Sequence, residues 1–384
     1  MGLLSLLVVA LVPVIEVLIV TAIGCLLAFD RINLLGPTSR HLLNNLVFFV
    51  FSPALIVSQL GDTITFQSLE ELWFMPVNIL LTFIIGSALA WVLIKVTKTP
   101  PHLQGLVIGC CSAGNLGNLL LIMVPAVCEQ SNSPFGDTST CSTYGEAYAS
   151  LSMAVGAVYI WTYVYVIMRV YARVNEPDDL PDQSEEGLLL PSDSGPPEKE
   201  TFVRKVVSCL SNCGGQIDVK MVFAPSTIAA IIGFFIGAVS PVRKLLIGDS
   251  APLHVLYSSA LLLGDATVPA MTLVVGSNLV QGLRRSQMSG SVVVGIIIIR
   301  YLLLPLVGVG VVKAASYFGM VGSDLLYQFV LLLQYSLPPA MAVGVIAQLF
   351  EAGERECSVI MLWTYLVAAF SLTLWSTFYL WLLQ

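Results

Sequence analysis

Gly114-Asn115-Leu116-Gly117-Asn118 and Gln334-Tyr335-Ser336-Leu337-Pro338-Pro339 decide how this chain is read. Each lies near the middle of an apolar run long enough to cross a bilayer, where a continuous helix would be expected. Glycine holds a helix poorly because its backbone is free. Proline does so because it lacks an N–H and its ring clashes with the preceding turn. Broken backbone at membrane depth is tolerated only where protein buries it or a cavity borders it. When such breaks recur at corresponding places in two halves of a chain, they point to a transporter's binding site.

Composition sets the class. Of 384 residues, 57% are hydrophobic and 11% charged, with a mean hydropathy of +0.87, whereas soluble domains carry about 25% charge. The chain reads as a polytopic protein whose solvent is the lipid bilayer, with no nucleic-acid partner. Its net charge of −7 is local: nine of the 24 acidic residues lie between Glu176 and Glu200, where Lys199 is the sole base, and the remainder holds 15 acids against 16 bases. The first apolar run, from Leu3, extends past twenty residues without a small-residue cleavage site and reads as a first span rather than a cleaved signal.

Windows of roughly 20 apolar residues predict ten transmembrane helices, near 3–28, 40–60, 72–95, 103–127, 147–171, 219–239, 253–280, 288–314, 325–349 and 357–383. The organisation is a five-helix repeat over 1–173, an acidic linker over 174–218 and a second five-helix repeat over 219–384. The linker, rich in Pro, Asp, Glu and Ser, has too little apolar surface to fold alone. Landmarks recur in order: Pro13 with Pro225, Pro53 with Pro269, Lys95 with Lys313 and Asn115 with Pro338, at offsets of 212, 216, 218 and 223. Five spans per repeat is odd, so the second repeat enters from the opposite side and the repeat is inverted.

Lys and Arg divide thirteen to three between the two sides, with Arg300 inside the eighth span. The positive-inside bias places the linker in the cytosol and both termini on the luminal or external side. Cys128 and Cys141 flank the segment after the fourth span, where an oxidising lumen allows a disulfide; the alternative is two free thiols near the interface.

At the second break the prolines release the carbonyls of Gln334 and Tyr335. Ser336 is the expected cap of the restarting half-helix, with the amides of Ala340 and Met341 free. At the first, Asn115 is the expected cap, leaving the amides of Gly117 and Asn118 exposed. Two positive helix ends at the midplane suit an anion, most simply a carboxylate. Glu16, Asp265 and Arg300 are ionisable residues inside spans. Glu16 and Asp265 are candidates for ion or proton coupling, and an Arg300–carboxylate pair is an equally good structural reading. Ser52 in the second span is a candidate cavity-lining hydroxyl, while Tyr159 and Trp161 in the fifth are candidates to face an aromatic substrate. Enzyme signatures are absent, including the phosphate-binding Gly-rich loop and H-E-x-x-H, and neither a cofactor nor a metal is expected.

The runs Ser112-Ala113-Gly114-Asn115-Leu116-Gly117-Asn118, Val124-Pro125-Ala126-Val127-Cys128, Ser133-Pro134-Phe135-Gly136, Ile160-Trp161-Thr162-Tyr163 and Gln334-Tyr335-Ser336-Leu337-Pro338-Pro339-Ala340 follow in that order. Together they closely resemble the PIN-LIKES (PILS) family of plants, within the auxin efflux carrier superfamily. The resemblance implies an all-α carrier of two inverted repeats with crossed broken helices in the fourth and ninth spans, similar to bile-acid symporters. It implies residence in the endoplasmic reticulum and transport of the auxin indole-3-acetic acid, with control of auxin signalling. The related PIN carriers hold the carboxylate near the crossover, which Asn115 and the backbone after Pro339 match here. Their second-span serine aligns with Ile56, which removes that polar contact. The expected mechanism is alternating access, with spans 3–5 and 8–10 moving against a scaffold of spans 1, 2, 6 and 7 that also offers a homodimer contact. The competing readings are a carrier of another organic anion coupled to H⁺ or Na⁺, and a membrane auxin receptor or scaffold that moves nothing.

Overall fold

In a bilayer, backbone N–H and C=O groups must be satisfied within the protein, and an apolar chain does so most locally by forming helices. The computed structural model describes residue 15 and residues 18–63, 72–128, 134–173, 225–248, 251–285 and 289–383, and every regular element among them is helical. The linker, Glu16 and the start of the first apolar run lie outside the described residues.

In chain order the helices are α1 (Leu18–Leu27), α2 (Pro37–Asp62) and α3 (Phe74–Thr97), then α4 (Pro101–Ser112) and α5 (Asn118–Cys128) on either side of the first break. They continue with α6 (Thr138–Ala172), α7 (Pro225–Ala238), the short α8 (Ser240–Leu246), α9 (His254–Asp265) and α10 (Thr267–Arg285). The last four are α11 (Gly290–Tyr317), α12 (Leu325–Leu333), α13 (Ala342–Leu349) and α14 (Glu354–Leu383). The second break separates α12 from α13.

Among the described residues five helical stretches are long and apolar enough to cross a membrane unaided, α2, α3, α6, α11 and the run His254–Ser277, with α14, bent by 45° after Ala368, a sixth. The first and sixth sequence windows lie partly outside the described residues, and the fourth and ninth fall short for a physical reason. The half-helices at the breaks are 12, 11, 9 and 8 residues long, and at 1.5 Å per residue each reaches only about halfway through a ~30 Å hydrocarbon core. The molecule is a multi-pass membrane protein with interrupted helices at its centre.

Packing places these short helices inside. Residues 326–327 and 329–333 of α12 and residues 343–348 of α13 are buried on every side, as expected of a helix apolar all round. α3 packs on α4, α5 on α6, and α11, α12 and α13 on α14, while α2 packs on α7 and α9. Gly86 lets α3 lie against the first break, since a Cβ there would stand 2.5 Å from the carbonyl oxygen of Cys111. The outward faces of α7 and α9 carry Ile228, Ile231, Phe235, Val255 and Leu262, which suits lipid.

Three long helices each contain one π-helical turn, at Val47–Phe51, Ile160–Val164 and Ile299–Leu303. Such turns insert a residue and re-aim the side chains around them, and they are concentrated at functional sites. Ser52 directly follows the first turn, Trp161 lies in the second and Arg300 in the third.

Candidate functional site at the crossing of two broken helices

The two interruptions meet. Ala113 leaves α4 in an extended conformation, and Gly114 forms an antiparallel bridge with Pro339. The Asn115 amide donates to the Pro338 carbonyl at 2.8 Å and the Ala340 amide donates to the Ala113 carbonyl at 2.9 Å. Buried backbone groups need partners, and here each break supplies those the other has lost. Two consecutive prolines have no N–H to give, so the pairing uses a proline carbonyl and the first amide after the prolines.

Side chains fasten the crossing. Asn115 Nδ2 donates to the Tyr365 hydroxyl at 2.8 Å, and that hydroxyl donates to the Pro339 carbonyl at 3.2 Å, tying both breaks to α14. Ser336 Oγ shares a 2.6 Å hydrogen bond with the Tyr379 hydroxyl. Behind the second break, Asn78 Nδ2 donates to Gln334 Oε1 at 2.7 Å, Gln334 Nε2 donates to Ser152 Oγ at 2.9 Å, and Tyr335 donates to Asn78 Oδ1 at 3.2 Å.

These bonds revise the capping expected from sequence. α5 begins at Asn118 and α13 at Ala342, several residues later than the breaks, so Asn115 and Ser336 bond to tyrosines of α14 and cap nothing. The Ala340 amide is engaged with Ala113 rather than free. Met341 is the residue that precedes the restarted helix.

Beside the crossing lies a cavity of about 90 Å³, room for several molecules the size of water at ~10–15 Å³ each. Its lining includes Ser52, Asn115, Gly117, Trp161, Ala340 and Met341, all sequence candidates. Gly117, just before α5, and Met341 and Ala342, at the start of α13, thus border one cavity, which brings two positive helix ends toward it. Ser52 Oγ and Thr267 Oγ1 are buried there without a hydrogen-bond partner. Trp161, 3% exposed, packs edge-on against Phe48 with ring centroids 5.1 Å apart. An aromatic wall, two open hydroxyls and two helix N-termini can hold a small planar anion.

Other candidates lie elsewhere. Tyr159 turns toward α3, where its hydroxyl donates to the Pro76 carbonyl at 3.3 Å and its ring meets Phe83, so of the aromatic pair Trp161 alone borders the cavity. Asp265 is exposed at the end of α9. Glu16 and the Asn118 side chain lie outside the described part of the structure. Arg300 is fully buried, and among the described residues no carboxylate is near it to form the ion pair considered from sequence. Cys128 and Cys141 are joined by a disulfide with Cα atoms 5.6 Å apart.

Thr267 and Tyr365 are site residues that sequence reading missed. Thr267 follows the Ala266 turn between α9 and α10, two residues before Pro269. That turn belongs to the folded chain, and a threonine there is ordinary in sequence. Nothing local distinguished Tyr365, whose role comes only from where α14 packs.

The chain is similar to known membrane transport proteins. The family described as "Membrane transport protein" matches residues 9–376. The Arabidopsis thaliana protein PIN-LIKES 3 is 51% identical over 96% of this chain and 96% of its own. PIN-LIKES 1 of the same plant is 49% identical over 100% of this chain and 81% of its own, and PIN-LIKES 4 is 45% identical over the full length of both.

Proposed function

The chain belongs to the PIN-LIKES group of the membrane transport protein family, and from that premise we propose that it is a secondary carrier of the auxin indole-3-acetic acid. The observation that carries the proposal is the convergence of two half-helix starts on one cavity beside the Gly114–Pro339 bridge. Indole-3-acetate is a carboxylate on a flat apolar ring. Its charge makes passage through lipid costly, and its two ends match the two kinds of wall. The carboxylate meets Asn115, the backbone of Gly117 and Asn118, Met341 and the hydroxyls of Ser52 and Thr267. The ring rests on Trp161.

In this reading the protein has ten spans in two inverted repeats, and the two breaks are the interrupted fourth and ninth spans. The unit built from α3–α6 and α11–α14 moves past a scaffold of α1, α2, α7, α9 and α10, opening the cavity to each side in turn. The scaffold faces also support a homodimer. The Cys128–Cys141 disulfide supports an oxidising compartment on that side. Both termini then lie in the lumen of the endoplasmic reticulum, with the acidic linker in the cytosol. Carriage of auxin across that membrane sets how much reaches the signalling machinery.

The test is uptake of labelled indole-3-acetic acid into proteoliposomes containing the purified protein. Saturable uptake that unlabelled substrate competes away is expected. Failure to see it in protein that still binds the compound would favour a receptor. Uptake that collapses when an H⁺ or Na⁺ gradient is dissipated would assign coupling, with Glu16 and Asp265 the residues to vary.

A further inference from the structure

Arg300 is 0% exposed. The π turn Ile299–Leu303 carries it into the interior, where Nε donates to the Cys110 carbonyl at 2.9 Å. Its Nη1 and Nη2 are buried without a hydrogen-bond partner. A Cβ on Gly114 would stand 3.4 Å from Nη1, and Gly114 itself borders the cavity while Arg300 does not. One residue of backbone therefore separates an uncompensated guanidinium from the cavity wall. Among the described residues the titratable groups around it are Cys110, Cys111, Tyr301 and Tyr365.

An unpaired charge inside a membrane protein is costly and calls for a compensating partner. Guanidinium does not release its proton in proteins, so it cannot escape the cost by becoming neutral. Among the described residues no side chain supplies the missing negative charge. The cavity across Gly114, with its open hydroxyls and helix starts, is where an anion would supply it. Direct contact is unnecessary, because Coulomb attraction in a poorly screened interior falls only with the first power of distance.

Resting on the carrier reading above, we propose that Arg300 is the fixed counter-charge of the transported carboxylate. The loaded moving unit then crosses the membrane electrically neutral, and the empty unit returns with one positive charge. Among the described residues Arg40 is the one other buried charged side chain, and it belongs to α2 of the scaffold. Arg300 lies in the moving unit, so its charge travels with each crossing. Voltage acts on the empty return and not on the loaded step.

The test uses proteoliposomes whose potential is clamped with K⁺ and valinomycin, comparing net uptake with exchange of labelled for unlabelled indole-3-acetate at saturation on both sides. Net uptake should depend on voltage, while wild-type exchange should stay nearly constant between zero and about −100 mV, across which one full uncompensated charge would change an equilibrium about fiftyfold. A second arm measures binding to the detergent-solubilised protein of indole-3-acetate and of its uncharged isostere indole-3-acetamide. Arg300→Gln should weaken carboxylate binding at least about tenfold while leaving amide binding unchanged, and Arg300→Lys should retain most of the preference. Size-exclusion and thermal-unfolding profiles identify any variant that does not fold; the wild-type exchange measurement then decides. Exchange as voltage-dependent as net uptake, or an unchanged carboxylate preference in folded Arg300→Gln, overturns the proposal. Absence of any saturable wild-type flux instead overturns the carrier reading beneath it, and the binding arm tells the two failures apart.

Discussion

At the scale of the residue, the informative groups are polar atoms buried with nothing to bond. Thr267 Oγ1 and Ser52 Oγ are such atoms, and both face the cavity. A buried hydroxyl without a partner costs about 1–3 kcal/mol, so these positions are expensive unless a ligand completes them. Thr267→Val keeps the shape and removes the hydroxyl. It should leave the empty protein as stable as wild type or raise its unfolding temperature, while weakening indole-3-acetate binding by a few-fold to about tenfold, the worth of one hydrogen bond. Thermal unfolding with and without ligand separates the effects, since a purely structural threonine would move both curves together. Thr267 was illegible in sequence because a threonine in a span is ordinary. Only the folded chain shows that its hydroxyl has no internal partner.

At the scale of the element, the two breaks were legible because Gly-Asn-Leu-Gly-Asn and Leu-Pro-Pro act locally on the backbone. The points at which the half-helices restart were not. Backbone pairing between Asn115 and Pro338 and between Ala340 and Ala113 engages the Ala340 amide that a local reading left free, and the side chains read as caps, Asn115 and Ser336, bond to tyrosines instead. The π turns also escaped, since tertiary packing rather than local propensity inserts the extra residue. One start was sharply encoded: Asp324 caps α12, with Oδ1 accepting from the amides of Leu326 at 2.9 Å and Tyr327 at 3.3 Å, and Oδ2 accepting from the Tyr148 hydroxyl at 2.6 Å. Asp324→Ala should destabilise the protein by about 0.5–2 kcal/mol for the lost cap, with a further loss from the stranded tyrosine. Asp324→Asn keeps an acceptor for the amides and should recover most of the cap contribution. Unfolding in detergent reports both, and equal losses in the two variants would refute the cap assignment.

At the scale of the whole molecule, an apolar shell surrounds a small polar centre. Helices that cross unaided enclose half-helices that cannot, and the interrupted backbone is satisfied by crossing a second interruption. That arrangement makes the centre dependent on both halves of the chain at once. Length, hydropathy and the paired breaks announced such a protein from sequence. The guanidinium behind Gly114 and the tyrosines of α14 that hold the breaks needed the packed structure. The proposal that joins these scales is that the crossing is the transport site. It is tested most directly by labelled indole-3-acetic acid flux in proteoliposomes matched for folded protein, comparing wild type with Asn115→Ala and with Pro338→Ala/Pro339→Ala. Saturable wild-type flux is expected, with a loss of about tenfold or more in each variant, because Asn115→Ala removes a buried, partnered side chain and the double alanine variant lets the helix close over the break. Flux at the wild-type rate in both variants would contradict it.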